Sequence, residues 1–279
     1  MIGRTAIVLD SAAYLPAAVM KRFGVITVPL TVILDDREYL EFIDLGAAEF
    51  YERLAGGAKP GTSQPPPGRF LEAYEHAGAK GAERIVSIHI GSGLSGTINS
   101  ARIAAEMAGL PVHIIDTGQA SFIEGLCAWE AMEALSEGKS IEEAEAACHR
   151  AGAAAGNVFI VGGLELLKQG GRFAGETGPG VPVLALVDGS VRPIGSAATV
   201  EAALDALTAH VSAAIEANAG KRFRIGVSNG AADELASALE ARLRKLAPDA
   251  ELMQYVIGPV VGAHTGPGCT GAVFLPRPA

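Results

Sequence analysis

The residues most able to do chemistry lie at Gly91-Ser92-Gly93-Leu94-Ser95-Gly96, between an apolar β-rich run and a helical pattern. A Gly/Ser turn that feeds a helix start offers backbone N–H groups and a positive dipole end to an anion. The run also matches GxGxxG, and Asp116 closes the next strand about twenty residues on, as in a dinucleotide fingerprint. An NAD(P)-dependent oxidoreductase built on Gly91–Gly96 is therefore the alternative reading. Two features point away from it. The turn comes well into the chain rather than after the first strand, and it carries hydroxyls at Ser92 and Ser95 where a pyrophosphate loop favours non-polar atoms. Ser95 or Thr97 could also cap the helix that follows. Gly93-Leu94-Ser95-Gly96-Thr97 lacks the spacing of a GxSxG nucleophile elbow.

Three further polar clusters stand out. Thr62-Ser63-Gln64-Pro65 precedes two more prolines and a helical pattern carrying Phe70, Leu71 and Tyr74, which reads as a second helix N-terminus able to face an anion. In Lys168-Gln169-Gly170-Gly171-Arg172 the glycines predict a left-handed helix end, and Arg172 then follows as a carboxylate or phosphate partner. The Gly/Pro-rich run from Gly258 to Gly268 predicts a tight loop whose side-chain hydrogen-bonding groups are His264 and Thr265. His89 and His113 lie within strands without metal-ligand spacing, and read as packing or surface residues. The chain contains no GxxxxGK[ST] phosphate loop and no convincing Ser/His/Asp set, so the reading is a binding protein rather than an enzyme.

The elements that must position these groups follow from periodicity. Strand patterns at Thr5–Asp10, Arg84–Ile90 and Pro111–Asp116 alternate with helical ones, which predicts crossover units and a mainly parallel sheet with flanking helices. From about residue 156 the pattern changes. Val183 to Ile194 holds two β-rich runs joined by Asp188-Gly189, a hairpin signal. Helical patterns near 199–216 and 231–246 flank strands near 222–228, 252–257 and 272–275. The expected class is α/β in two domains. Residues 1–155 form the parallel-sheet domain, and residues 156–279 a mixed or antiparallel sheet with helices on one face.

Composition narrows the partners. Of 279 residues 49% are apolar, too many for disorder, and the net charge of -9 disfavours nucleic acid, which requires a basic patch. The three cysteines are far apart and show no CxxC pair, so neither a disulfide framework nor a zinc site is expected. No stretch is long and apolar enough to predict an integral membrane segment, and no apolar leader precedes the first strand. The expected setting is cytoplasmic.

Taken in order, Asp10-Ser11, Thr62-Ser63-Gln64-Pro65, Gly93-Leu94-Ser95-Gly96-Thr97, Asp116, Gly170-Gly171-Arg172 and His264-Thr265-Gly266-Pro267-Gly268 resemble the DegV family of bacterial fatty-acid-binding proteins. The resemblance runs from about residue 5 to 276. It implies two α/β domains with an acyl tunnel between or beneath them, and a bound long-chain fatty acid as ligand with no other cofactor. It further implies that Thr62 and a turn serine, Ser95 or alternatively Ser92, bind the carboxylate, with Ser63, Gly96, Asp10, Ser11 and Asp116 in the same motifs. His264, Thr265 and Arg172 match positions near the head group. Some members serve as the lipid-binding subunit of a fatty acid kinase, whose ATP-binding subunit would then be a partner. Here the sequence departs from the pattern, since Ala198 stands where kinase-linked members carry an Arg.

Overall fold

The structure is a computed structural model that describes residues 1–278; Ala279, the last residue of the expected second domain, lies outside them. The chain opens with β1 (Thr5–Asp10), a single 3₁₀ turn (Ser11–Ala13), α1 (Ala17–Phe23), β2 (Ile26–Val28), β3 (Thr31–Leu34) and β4 (Arg37–Leu40). It continues through α2 (Ala47–Ala55), β5 (Pro60–Ser63), α3 (Pro67–Ala79), β6 (Arg84–His89), α4 (Thr97–Met107), β7 (Val112–Asp116), α5 (Phe122–Ser136) and α6 (Ile141–Ala154). Then come β8 (Gly156–Ile160), α7 (Leu164–Gln169), β9 (Val181–Val187), β10 (Ser190–Ala197) and α8 (Val200–Ala217). The last elements are β11 (Arg222–Gly230), α9 (Asp233–Leu246), β12 (Glu251–Val256), α10 (Pro259–Thr265) and β13 (Cys269–Arg277).

Two compact units emerge. The first comprises Met1–Ile33, Arg37–Asp44 and Thr62–Ala153; the second comprises Leu34–Asp36, Leu45–Gly61 and the chain from Ala154 onward. The first unit is organised on a parallel sheet in the order β2-β1-β6-β7. All six residues of β1 are buried, as an interior parallel strand covered on both faces must be. Ala6 and Val8 of β1 pack with Phe70, Ala73, Tyr74 and Ala77 of α3 and with Ala101 and Ala104 of α4. α5 is apolar on every side (Phe122, Ile123, Leu126, Ala128, Met132) and is accordingly buried around nearly its whole circumference.

The second unit holds a six-stranded sheet in the order β10-β9-β8-β13-β11-β12. Only the β11–β12 pair is parallel among these pairings; the rest are antiparallel. Asp188 (φ 49°) and Gly189 (φ 72°) join β9 to β10 with both central residues left-handed, the backbone of a type I′ hairpin. The helices of this unit lie on both faces rather than on one. Val158, Ile160 and Val183 pack under α8 and α9, whereas their neighbours Phe159 and Leu184 pack with Leu167 of α7. The two-residue period of a strand sends adjacent side chains to opposite faces, so α7 must cover the reverse side.

Candidate functional site

In the first unit β6 delivers the chain into the Gly91–Gly96 turn and α4 leads it out. Three anchors fix the turn. Gly91 N–H donates to the Gln119 carbonyl at 2.7 Å. Asp116 Oδ1 accepts the amides of Ser92 (3.2 Å) and Gly118 (2.9 Å). Leu94 and Ser95 amides both return to the Gly91 carbonyl. A side chain at Gly91 would meet the Gly118 and Gln119 backbone at 2.6–2.9 Å, so only glycine lets those two segments pass.

The helix begins differently from the capping expectation. Gly96 occupies the N-cap position of α4 and brings no side-chain bond. Ser95, one residue earlier, accepts the Thr97 amide at 3.3 Å and lies 2.8 Å from the Thr97 hydroxyl. Its hydroxyl is thereby oriented at a helix start while remaining half-buried, with Ser92 exposed beside it.

The Thr62-Ser63-Gln64 run reaches the same turn. Thr62 and Ser63 end β5 and do not cap a helix: α3 starts at Pro67 behind an N-cap Pro66 that has no side-chain bond. The reason is local. Consecutive prolines hold the residues before them extended and postpone the helix. Gln64 then lies over Gly96, its amide occupying the space a Cβ there would take. Gln64, Ser95 and Gly96 are thus brought to one locus, with Thr62 on β5 two residues before Gln64.

Asp10 and Ser11 turn inward. Asp10 accepts the amides of Ala12 and Ile90, each at 3.0 Å, and faces His89 Nδ1 at 3.2 Å. His89 Nε2 lies 2.6 Å from the Ser87 hydroxyl, which lies 2.9 Å from Tyr74. With a proton on Nδ1 the chain runs one way, Tyr74 to Ser87 to His89 to Asp10. Burial outweighs the Ser87 contact and pushes the Tyr74 hydroxyl up to about 12, so it remains a donor. Ser11 donates to the buried Glu41 carboxylate and accepts the Leu30 amide at 3.0 Å.

The remaining predicted residues belong to the second unit. Gly171, with φ 69°, follows α7 in the left-handed region as its position predicts, and Arg172 turns back so that Nη1 donates to the Gly170 carbonyl. The Gly258–Gly268 run is not wholly a loop: Pro259–Thr265 forms α10. Proline is accommodated in the first turn of a helix, and Gly262 is where α10 meets Phe50 and Tyr51 too closely for a side chain. His264 therefore stands on the last turn of a helix and packs over Gly170, where a Cβ would come 2.5 Å from Nδ1. Burial, and secondarily the Arg172 charge, lowers its pKa to about 4, so the ring is neutral at pH 7. Thr265 is buried and donates to the Val261 carbonyl at 3.2 Å. Among the described residues no cluster of three or more His, Cys, Asp or Glu is arranged to hold a metal ion. No described helix is long and apolar enough to cross a membrane.

A profile described as an uncharacterised protein of the DegV family matches residues 4–277, almost the full length. The chain belongs to the DegV family. A DegV domain-containing protein of Streptomyces coelicolor, SCO2569, is 37% identical over 99% of this chain and 100% of that protein. Among solved structures, a DegV protein from Thermus thermophilus described by its fatty acid binding superposes with a TM-score of 0.89 at 32% identity, covering 98% of this chain and 99% of that one. DegV of Bacillus subtilis, a fatty acid binding protein, has a TM-score of 0.89 at 27% identity, again over 98% and 99%.

Two residues of this DegV chain escape a reading by motif. Gln64 has a signal, its place between Thr62-Ser63 and Pro65, but its contact with Gly96 joins residues 32 positions apart and no local pattern announces it. His89 is fully buried, bonded to Asp10, and edge-on to the Phe70 ring at 5.0 Å. It is a packing residue as expected of a strand histidine, yet it also orients a carboxylate that holds the Ile90 amide at the mouth of the turn.

Proposed function

We propose that this DegV-family chain binds a long-chain fatty acid, with the carboxylate held where Thr62–Gln64 meets the Gly91–Thr97 turn. The observation that carries the reading is the seat of Gln64 on Gly96, which brings the end of the Thr62–Gln64 run against the start of α4, next to Ser95. The fatty acid binding of the Thermus thermophilus and Bacillus subtilis proteins supports it. The acid itself is the only small molecule the reading requires.

The two ends of such a ligand make different demands. Burying roughly fifteen methylenes at about 0.8 kcal/mol each gives on the order of 12 kcal/mol gross, part of which is offset by ordering the chain. The head contributes orientation. A carboxylate leaves water only where donors replace its hydration, and hydroxyls, an amide side chain and helix-start N–H groups can do so without a full ion pair. Asp116 Oδ1 already accepts the Ser92 and Gly118 amides, which leaves it poorly disposed to take a ribose. The roles of Ser92, Ser63, His264, Thr265 and Arg172 toward the head group rest on the family resemblance and are proposed on that ground.

Presentation of the bound acid to the ATP-binding subunit of a fatty acid kinase is a further step of the same reading. Exposed Ala198, just before the α8 cap Thr199, offers no charge where the family resemblance implies an Arg in kinase-linked members. The proposed cradle does not use that position. The decisive experiment is a palmitate titration of the Thr62→Ala, Ser95→Ala double variant. Losing two hydrogen bonds to a charged group at about 1.5 kcal/mol or more each should weaken binding on the order of a hundredfold. Unchanged affinity rejects the cradle.

A further inference from the structure

Below the turn lies a carboxyl group that the cradle does not explain. Glu124 sits in the first turn of α5, and none of its surface is exposed. Neither oxygen reaches a hydrogen-bond partner by distance and angle, although the Asp10 carboxylate adjoins it. The helix brings it there because α5 presses on the 3₁₀ turn that follows Asp10, with Gly125 against the Ala13 carbonyl so closely that a side chain would collide. The titratable groups facing Glu124 are Asp10 at the end of β1, Glu41 after β4, Cys127 on its own helix and Cys148 on α6. None of these is a cation. His89, which reaches this cluster through Asp10, is already committed to Asp10 on one nitrogen and Ser87 on the other.

An ionised Glu124 would therefore be a second or third negative charge in a dry pocket with nothing to neutralise it. A protonated one turns an acceptor into a donor that faces the acceptor Asp10. The helix-start dipole favours the anion, but this effect is confined to the first turn and is small beside the loss of all solvent. Burial first, and then the charge of Asp10, raise the Glu124 pKa well above the ordinary carboxylate value, in agreement with the geometry.

We infer that Glu124 is held as an uncharged carboxylic acid and acts as a positioning residue for the Gly91–Thr97 turn, through Asp10. The path is short. Asp10 Oδ2 accepts the Ile90 amide, and Ile90 is the residue that enters the turn. A neutral Glu124 leaves Asp10 free to keep that bond and adds a proton for it to accept. A charged Glu124 repels Asp10 and loosens the strand end from which Ser92 and Ser95 are presented. It also adds negative potential beneath a site meant for an anion. That last consequence rests on the fatty-acid reading above; the protonation and the positioning do not.

The test uses the full chain and Glu124→Gln, which keeps the shape and a donor but cannot ionise. Infrared spectra at neutral pH should show a protonated-carboxyl band in the wild type that the substitution removes. Amide hydrogen exchange at Ile90, Ser92 and Ser95, corrected for the intrinsic pH dependence, should accelerate by about tenfold in the wild type as pH is raised through the alkaline range, and stay level in the variant. If Glu124→Gln does not fold, Glu124→Met supplies an uncharged side chain of similar length for the same comparison. Absence of the band, or exchange profiles that run parallel in the two proteins, overturns the inference. Palmitate titrated into both proteins tests the cradle separately: no binding by either rejects that reading, while the band and the exchange data still decide the state of Glu124.

Discussion

His264 is a ring that folding strips of its proton, and this ties stability to pH in a definable window. Its pKa falls from 6.5 in the unfolded chain to about 4 in the fold, first through burial and then through Arg172. Below 6.5 the unfolded chain takes up the proton that the folded chain refuses, so stability is full above that pH and declines toward pH 4. The ceiling is about 3 kcal/mol, and the partial exposure of the ring lowers the realised figure. Urea-unfolding midpoints of the wild type should therefore fall relative to those of His264→Gln as pH is lowered across that interval. Glu124 has the opposite sign. A raised carboxyl pKa contributes stability that declines as pH rises above its unfolded value of 4.5, a window that overlaps the histidine's, so the histidine is read from the difference between wild type and variant. An identical acid limb in the His264 variant would mean that the ring is not buried as a neutral group.

At the scale of elements, the turn is held by backbone proximity on one side and by a flexible side chain on the other, and the two should fail differently. A methyl at Gly91 meets the main chain of Gly118 and Gln119, which cannot move without breaking the Asp116 contacts. Gly91→Ala should cost about 2 kcal/mol or more, read as a lowered unfolding midpoint. A methyl at Gly96 meets only the end of the Gln64 side chain, which can swing away. Gly96→Ala should leave stability nearly intact, change it by about 0.5 kcal/mol at most, and weaken fatty-acid binding instead. Equal loss of stability in both variants would contradict this division. The same distinction explains what was legible in the sequence. Long helices such as the apolar α5 and the periodic α9, and the Asp188-Gly189 hairpin, are visible because their signals are local. The segments of the proposed cradle, Thr62-Ser63 and Gly91–Gly96, stand out in the sequence for the same reason. α10 was hidden by the glycines and prolines that compose it, and the placement of α7 on the reverse face follows from packing rather than from its own sequence. Gln64, His89 and Glu124 acquire their roles only from partners far along the chain, and no window of residues contains both members of any of these pairs.

For the molecule as a whole, a net charge of -9 means that an anionic ligand gains nothing from the overall field. Beyond a Debye length of about 8 Å at physiological salt that field is screened, so selection falls to contacts at the head group and to the buried tail. These two contributions can be separated by comparing ligands that share a tail. At a free concentration about a hundred times Kd, a ligand that binds only the folded protein adds about 2.7 kcal/mol of stability. For a chain of this size melting as one cooperative unit that corresponds to a rise of about 5 °C in Tm, and more if the smaller liganded unit melts separately. Palmitate should produce a shift of that order. Methyl palmitate keeps the tail but offers the donors at Ser95 and Thr62 a neutral, poorer acceptor, and should shift Tm by clearly less at the same concentration. NAD(P) should produce none, because the turn's acidic partner Asp116 is already bonded to Ser92 and Gly118. Equal shifts from acid and ester would show a greasy site with no recognition of the head group, and a shift from NAD(P) alone would restore the oxidoreductase reading of Gly91–Gly96.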